Sequence, residues 1–165
     1  AKNIFEVPIN KLKILIHPQS YLHAIVKFKN GLSQMVIHDT DMKIPIYNTL
    51  YENKEYPNKN KRLDIKKLNN LNLKNPNIEK FPLIQVLKKI PNHQSLFETL
   101  IVSTNDALVD LFLKKKINFE SMPEIFFSFI KDEMFKKYRF IKPKSIDQII
   151  KLKNIVQIKI NSRYI

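Results

Sequence analysis

The chain holds one glycine in 165 residues, and it follows an asparagine, as Asn30-Gly31. Glycine is the residue that reaches positive φ without steric cost, so a chain with one of them can make few left-handed tight turns. Asn-Gly is the pair a short hairpin loop most needs, because both residues accept that conformation. The flanking runs agree. Leu22 to Lys29 is rich in β-formers, with Ile25, Val26 and Phe28, and Leu32 to His38 returns with Met35, Val36 and Ile37. An antiparallel β-hairpin turning at Gly31 is expected, which gives Gly31 a structural role. The same scarcity excludes whole classes of chemistry. Neither a Gly-rich dinucleotide loop nor a P-loop can be built from this chain, and it has no Gly-x-Ser-x-Gly nucleophile elbow.

Around the hairpin the pattern divides. Leu12-Lys13-Ile14-Leu15-Ile16 alternates loosely and stops at His17-Pro18, where proline removes a ladder donor, so residues 11–38 read as β-structure. From Tyr51 to Lys80, Asn, Lys and Pro dominate and apolar periodicity fades. That stretch reads as a linker with a short ordered patch around Leu63-Asp64-Ile65. Beyond it the apolar period lengthens to that of a helix. Leu83, Val86, Leu87 and Ile90 share one face between Pro82 and Pro91. Ser103 or Thr104 is placed to cap a second helix carrying Ala107, Leu108, Leu111 and Phe112 as a stripe. Ser121-Met122-Pro123-Glu124 has capping-box spacing and opens a third helix through about Tyr138. Ser145-Ile146-Asp147-Gln148 opens a fourth, with Ile149, Leu152 and Val156 facing one way. The expected protein is α+β: residues 1–50 form the β-part, 51–80 the linker and 81–165 an antiparallel four-helix bundle.

Composition narrows the function. A formal charge of +14 invites a small basic RNA- or ribosome-binding module, with interleaved Phe, Tyr and Lys for stacking and phosphate contact. The lysines are scattered along the whole chain, however. Abundant Lys, Asn and Ile beside one Gly and no Trp or Cys is what A/T-biased coding produces. The charge therefore reads as compositional drift, and nucleic-acid binding is expected to be weak and sequence-blind. Without cysteine there are no disulfides, thiolate nucleophiles or Cys-ligated metals. With no long apolar run, no membrane span is expected. The start Ala1-Lys2-Asn3-Ile4-Phe5-Glu6 has no signal-peptide layout, which fits an internal segment of a cytoplasmic protein. His23, His38, Asp39 and Asp41 are donor types that suit Mn, Mg or Zn, but their spacing matches no standard ligand motif. The competing reading has His17 tying a strand end by hydrogen bonds, with Asp39 and Asp41 shaping a turn through local amides. No metal ligand is assigned within the chain.

Two strings are far more specific than the rest. Ile16-His17-Pro18-Gln19-Ser20-Tyr21-Leu22-His23 is followed by Asp41-Met42-Lys43-Ile44-Pro45-Ile46. With Glu6-Val7-Pro8, Val26 and Gly31, they resemble the C-terminal half of the 1-deoxy-D-xylulose 5-phosphate reductoisomerase family. Further along, Phe81-Pro82-Leu83 resembles the family's Phe-Pro-x-Leu helix start. Thr104-Asn105-Asp106 resembles the end of its Asn-Ala-Ala-Asn-Glu motif, and Ile117-Asn118-Phe119 its Ile-x-Phe crossover. The likeness is dense over 4–50, sparser over 76–120 and architectural beyond 121. There are departures: His38 stands where the family has glycine, Thr40 where it has proline, Asp106 where it has glutamate, and Val102-Ser103 where it has Asn-Ala.

The resemblance implies an enzyme of non-mevalonate isoprenoid synthesis that uses NADPH and Mg or Mn on a sugar phosphate and works as a homodimer. It implies that residues 1–50 are the closing part of the catalytic domain, a remnant of the sheet through which subunits pair. His23 and Met42, with Ser20 beside them, are implied to line the wall of the substrate pocket, and His17, Gly31 and Asn105 to be structural. The NADPH domain, the carboxylate metal ligands and the phosphate binders lie upstream of the segment matching Ala1. The resemblance therefore places no catalytic, cofactor or metal residue in this chain, and the chain by itself is expected to be inactive.

Overall fold

The computed structural model describes residues 1–51 and 62–164. It divides into two compact units, Ile14–Pro76, and Ala1–Lys13 together with Asn77–Ile165. These bounds differ from the expected 1–50, 51–80 and 81–165. The first thirteen residues fold with the helices, and residues 62–76 fold with the hairpin. Most of the linker's first third, 52–61, lies outside the described residues.

In the unit Ile14–Pro76, β1 (Leu22–Lys27) pairs antiparallel with β2 (Ser33–Ile37), as expected. Gly31 has φ 91° and is the only residue of the turn in the left-handed region. The loop is therefore longer than a two-residue Asn-Gly turn. Gly31 N–H donates to Phe28 O (3.2 Å), Phe28 N–H donates to Leu32 O (2.8 Å), and Asn30 Oδ1 accepts from Leu32 N–H (3.1 Å). That is the three-residue loop in which a left-handed glycine closes the turn.

The strand expected over Leu12–Ile16 does not form. Ile9–Lys11 is a 3₁₀ turn, and Ile16 alone makes a bridge, to Lys74, with N···O distances of 2.8 and 3.0 Å. A strand needs a partner for its ladder, and on the Lys74 side Pro76 has no N–H with which to extend one. Two short helices complete the unit: α2 (Lys43–Leu50), and α3 (Ile65–Asn69), where Asp64 accepts the Lys67 N–H at 3.1 Å as N-cap. The ordered patch at Leu63-Asp64-Ile65 is the start of α3. Burial is thin, with Tyr21 and Leu22 the buried hydrophobics among the described residues of this unit.

The helical unit begins with α1 (Lys2–Phe5) and resumes with a 3₁₀ segment, Pro82–Lys89. It continues through α4 (Leu96–Leu113), α5 (Met122–Lys131), α6 (Glu133–Lys136) and α7 (Ile146–Tyr164). Its core joins Leu96, Leu100, Ala107, Leu108 and Leu111 of α4 to Phe126, Phe129 and Ile130 of α5, Phe135 of α6, and Leu152, Val156 and Ile160 of α7. These positions recur at three- and four-residue steps, one face of each helix.

The α+β class holds, but a four-helix bundle does not describe this unit. Three long helices carry it, and Pro82–Lys89 winds with three residues per turn, which brings Leu83 and Val86 to the same side of the core. The third helix stops at Lys131, short of Tyr138, because Asp132 is extended (φ −54°, ψ 132°) and caps α6 by accepting from Met134 N–H at 3.1 Å. Ser121 makes no capping bond; its hydroxyl donates to Asn118 O at 2.8 Å. At α7, Gln148 N–H donates to Ser145 Oγ at 3.3 Å, as the sequence suggests.

The second helix starts eight residues before the expected Ser103 cap. Ser95 caps it with a full capping box: Phe97 N–H donates to Ser95 Oγ (3.3 Å), and Ser95 N–H donates to Glu98 Oε2 (3.2 Å). Lys2 of α1 fastens this end, donating from Nζ to Glu98 Oε1 (2.5 Å), Pro91 O (2.9 Å) and His93 O (3.1 Å). Among the described residues no helix is long and apolar enough to cross a membrane.

Candidate functional site

The residues of the first motif string meet at the start of the hairpin. Leu22 pairs with Ile37 and Ala24 with Val36, so His23 has no partner in the register and forms a bulge. A bulge turns one side chain away from the strict alternation of a strand. Here it lays the His23 ring flat on that of His38, with centroids 3.6 Å apart and planes 2° from parallel. His23 Nε2 donates to His38 O at 3.3 Å, and His38 Nδ1 donates to Asp39 O at 2.6 Å. Since a carbonyl only accepts, each neutral ring carries its proton on that nitrogen, which leaves His23 Nδ1 and His38 Nε2 as acceptors.

The pair is braced from α3. Lys67 Nζ lies 3.7 Å from Asp39 Oδ1 and 5.2 Å from the centre of the Tyr21 ring, and Tyr21 O accepts the His38 N–H at 3.2 Å. Lys67 also lies 3.6 Å from Asp64, whose carboxyl is held below the usual value first by the Lys67 backbone N–H and then by the Lys67 charge.

The other expected residues are placed as follows. Ser20 has a left-handed backbone (φ 51°), with its N–H donating to His17 O at 3.0 Å in a tight turn, and its side chain is exposed. Met42 heads α2 and is 57% exposed. Asp41 shapes that turn by accepting the Lys43 N–H at 2.9 Å. The expected tie from the His17 ring is not made. Both of its nitrogens are buried without a partner, as is Gln19 Oε1, and His17 contributes to the turn through its backbone instead. Asn105 lies on the exposed side of α4, in the middle of the helix and away from the start where the motif was expected to place it. Among the described residues no three His, Asp or Glu side chains gather as a metal cage.

Sequence reasoning missed the pairing of His38 with His23. The one signal for it was that a histidine stands where the resembled family has glycine.

Residues 37–159 match the model of the DXP reductoisomerase C-terminal domain. The chain belongs to the DXP reductoisomerase family. It is 49% identical over 98% of its length to the 1-deoxy-D-xylulose 5-phosphate reductoisomerase of Pelagibacter ubique, and 31% identical over 90% to that of Sulfurihydrogenibium sp.. It spans 42% and 38% of those two relatives. Among solved structures, the reductoisomerase from Zymomonas mobilis in complex with NADPH is 26% identical with a TM-score of 0.81, over 99% of this chain and 42% of that one. A DOX-P reductoisomerase in complex with NADPH, fosmidomycin and magnesium shares the fold with a TM-score of 0.86 at 19% identity. The chain thus carries the C-terminal domain of that family, and the basic RNA- or ribosome-binding module is not the favoured reading.

Proposed function

We propose that the chain is part of a cytoplasmic, homodimeric reductoisomerase that converts 1-deoxy-D-xylulose 5-phosphate to 2-C-methyl-D-erythritol 4-phosphate with NADPH and Mg or Mn, in non-mevalonate isoprenoid synthesis. The observation that carries this is the 49% identity to a reductoisomerase over 98% of the chain. The chain's contribution is one wall of the substrate pocket, formed by His23, Ser20 and Met42. Three features support it: a histidine turned out of its strand by a bulge, a serine in a left-handed turn and an exposed methionine heading a helix.

The cofactors do not fit the residues described here. The single glycine is spent on the hairpin turn, which leaves none for a nucleotide loop, and among the described residues no carboxylate cluster stands ready for a divalent cation. On this reading NADPH and the metal are held by the part of the enzyme outside this chain, and the chain alone is expected to bind neither. What remains to it is to bind and orient. His23, held by its bond to His38 O, offers Nδ1 to a polar group of the sugar phosphate.

The test is a chimera in which this chain replaces the matching 42% of the Pelagibacter enzyme. NADPH consumption dependent on the sugar phosphate is expected from the chimera and not from the chain alone. A folded, dimeric chimera with no turnover refutes the proposal, and turnover by the isolated chain refutes the division of labour.

A further inference from the structure

We infer that His38 is a positioning residue for His23, fixing the ring plane and the tautomer through which the pocket wall meets its substrate. This rests on the proposed role of His23 above. An exposed imidazole on a strand rotates about two side-chain bonds, and a ring that must meet a ligand in one orientation loses that freedom on binding. Here much of that freedom is already gone. The His38 ring covers one face of His23 at 3.6 Å and 2°, and the His38 carbonyl takes the Nε2 proton at 3.3 Å.

His38 is in turn anchored. Its Nδ1 donates to Asp39 O at 2.6 Å, its backbone N–H donates to Tyr21 O at 3.2 Å, and Lys67 bridges towards Asp39 and Tyr21 from α3. Glycine at position 38 would remove the ring stack while leaving the backbone carbonyl in place. The stack therefore holds the His23 ring in the plane in which the carbonyl fixes its tautomer, and the ligand chemistry follows from the two together. A neutral His23 protonated at Nε2 presents Nδ1 as an acceptor, so it takes a hydrogen bond from a hydroxyl of the bound sugar phosphate and offers no donor to its phosphate.

Two variants test this, His38→Ala and His38→Phe. In the 165-residue chain, long-range proton–nitrogen spectra of the imidazoles read the tautomer, and ring-current displacement of the His23 protons reads the stack. The wild-type chain is expected to show one His23 tautomer, protonated at Nε2, with displaced ring protons. His38→Ala keeps the backbone acceptor but not the ring that holds His23 against it, so it is expected to lose the displacement and mix the tautomers while the Ile25–Met35 pairing of the hairpin survives. His38→Phe is expected to restore the displacement, since it keeps both the aromatic face and the backbone acceptor.

In the chimera, His38→Ala is expected to raise KM about fivefold, the size of one hydrogen bond less well placed, with kcat little changed and recovery in His38→Phe. Unaltered His23 signals in His38→Ala, or no restoration by His38→Phe, overturn the inference whatever the kinetics. Altered signals with an unchanged KM overturn the substrate role and leave His38 a structural contact. A chimera without any turnover, beside the expected spectra, counts against the proposed function and not against the stack.

Discussion

Replacing Glu98 with glutamine removes the charge that fastens the head of α4 while keeping the side chain's shape. Glu98 Oε1 receives Lys2 Nζ at 2.5 Å, and Oε2 receives the Ser95 N–H at 3.2 Å and hydroxyl at 2.7 Å. The side chains of Lys2 and Glu98 are 10% and 24% exposed, so solvent screens the pair only in part. Burial alone would raise the Glu98 carboxyl, but the hydrogen bonds from Lys2 and Ser95 outweigh it and hold the group below its ordinary 4.5. In Glu98→Gln the amide oxygen still accepts one bond, while the NH₂ group faces a donor. Lys2 keeps the carbonyls of Pro91 and His93.

The loss is therefore that of half a capping box and one charge-assisted bond, about 1–2 kcal/mol, or about 5–10 °C in Tm for a domain of roughly 100 residues. A carboxyl whose pKa is depressed by folding stabilises fully above its unfolded value, and that contribution fades as pH falls through the folded value. The gap between wild type and variant is thus widest at neutral pH and narrows at about pH 3. Thermal unfolding followed by far-UV circular dichroism at both pH values reads it. Equal melting at neutral pH, or a gap unchanged in acid, refutes the reasoning.

Phe135→Ala empties a fully buried site whose ring lies 4.8 Å from Phe129, and costs about 3–5 kcal/mol in denaturant unfolding; a loss under about 1 kcal/mol would mean α6 is not part of the core. His17→Leu removes a ring whose two nitrogens are buried without partners, so the hairpin unit keeps or gains up to about 1 kcal/mol, read by amide exchange of β1 and β2; a clear loss of protection would show that the ring has a partner after all. In the chimera, His23→Ala raises KM and lowers turnover for a total of about 1–3 kcal/mol with metal affinity unchanged, and a kinetically silent variant would remove His23 from the pocket wall.

The hairpin was legible because its determinant is local: a left-handed position needs Gly31, and the chain has no other glycine. The bulge at His23 was not, since Leu22-His23-Ala24-Ile25 reads as an ordinary strand and the irregularity exists only in which residues face it across the sheet. The strand proposed before His17 failed for the same reason, because alternation predicts a strand only if a ladder partner exists. The start of α4 was a different error. Ser95-Leu96-Phe97-Glu98 carries the capping-box spacing in plain view, while Ser103 and Thr104 imitate a cap but lie buried in the middle of the helix. Nothing local shows that Lys2 belongs with Pro91, His93 and Glu98, so the first thirteen residues were assigned to the wrong neighbour.

Packing and the exposed motif residues are carried by different parts of the chain. The helical unit holds nearly all the buried core among the described residues, and the family match runs through it to residue 159. Many large apolar side chains recover the same burial in the same layers, so this core tolerates exchange as long as the apolar face is kept. The motif strings fall instead where burial is thin: among the described residues of Ile14–Pro76, Tyr21 and Leu22 are the buried hydrophobics, while Ser20, His23 and Met42 are exposed. An exposed serine, histidine or methionine gains little from packing, and the left-handed turn at Ser20 and the bulge at His23 cost the backbone something to hold. Stability alone does not account for that geometry. Contact with a ligand would, and that is the role proposed for Ser20, His23 and Met42.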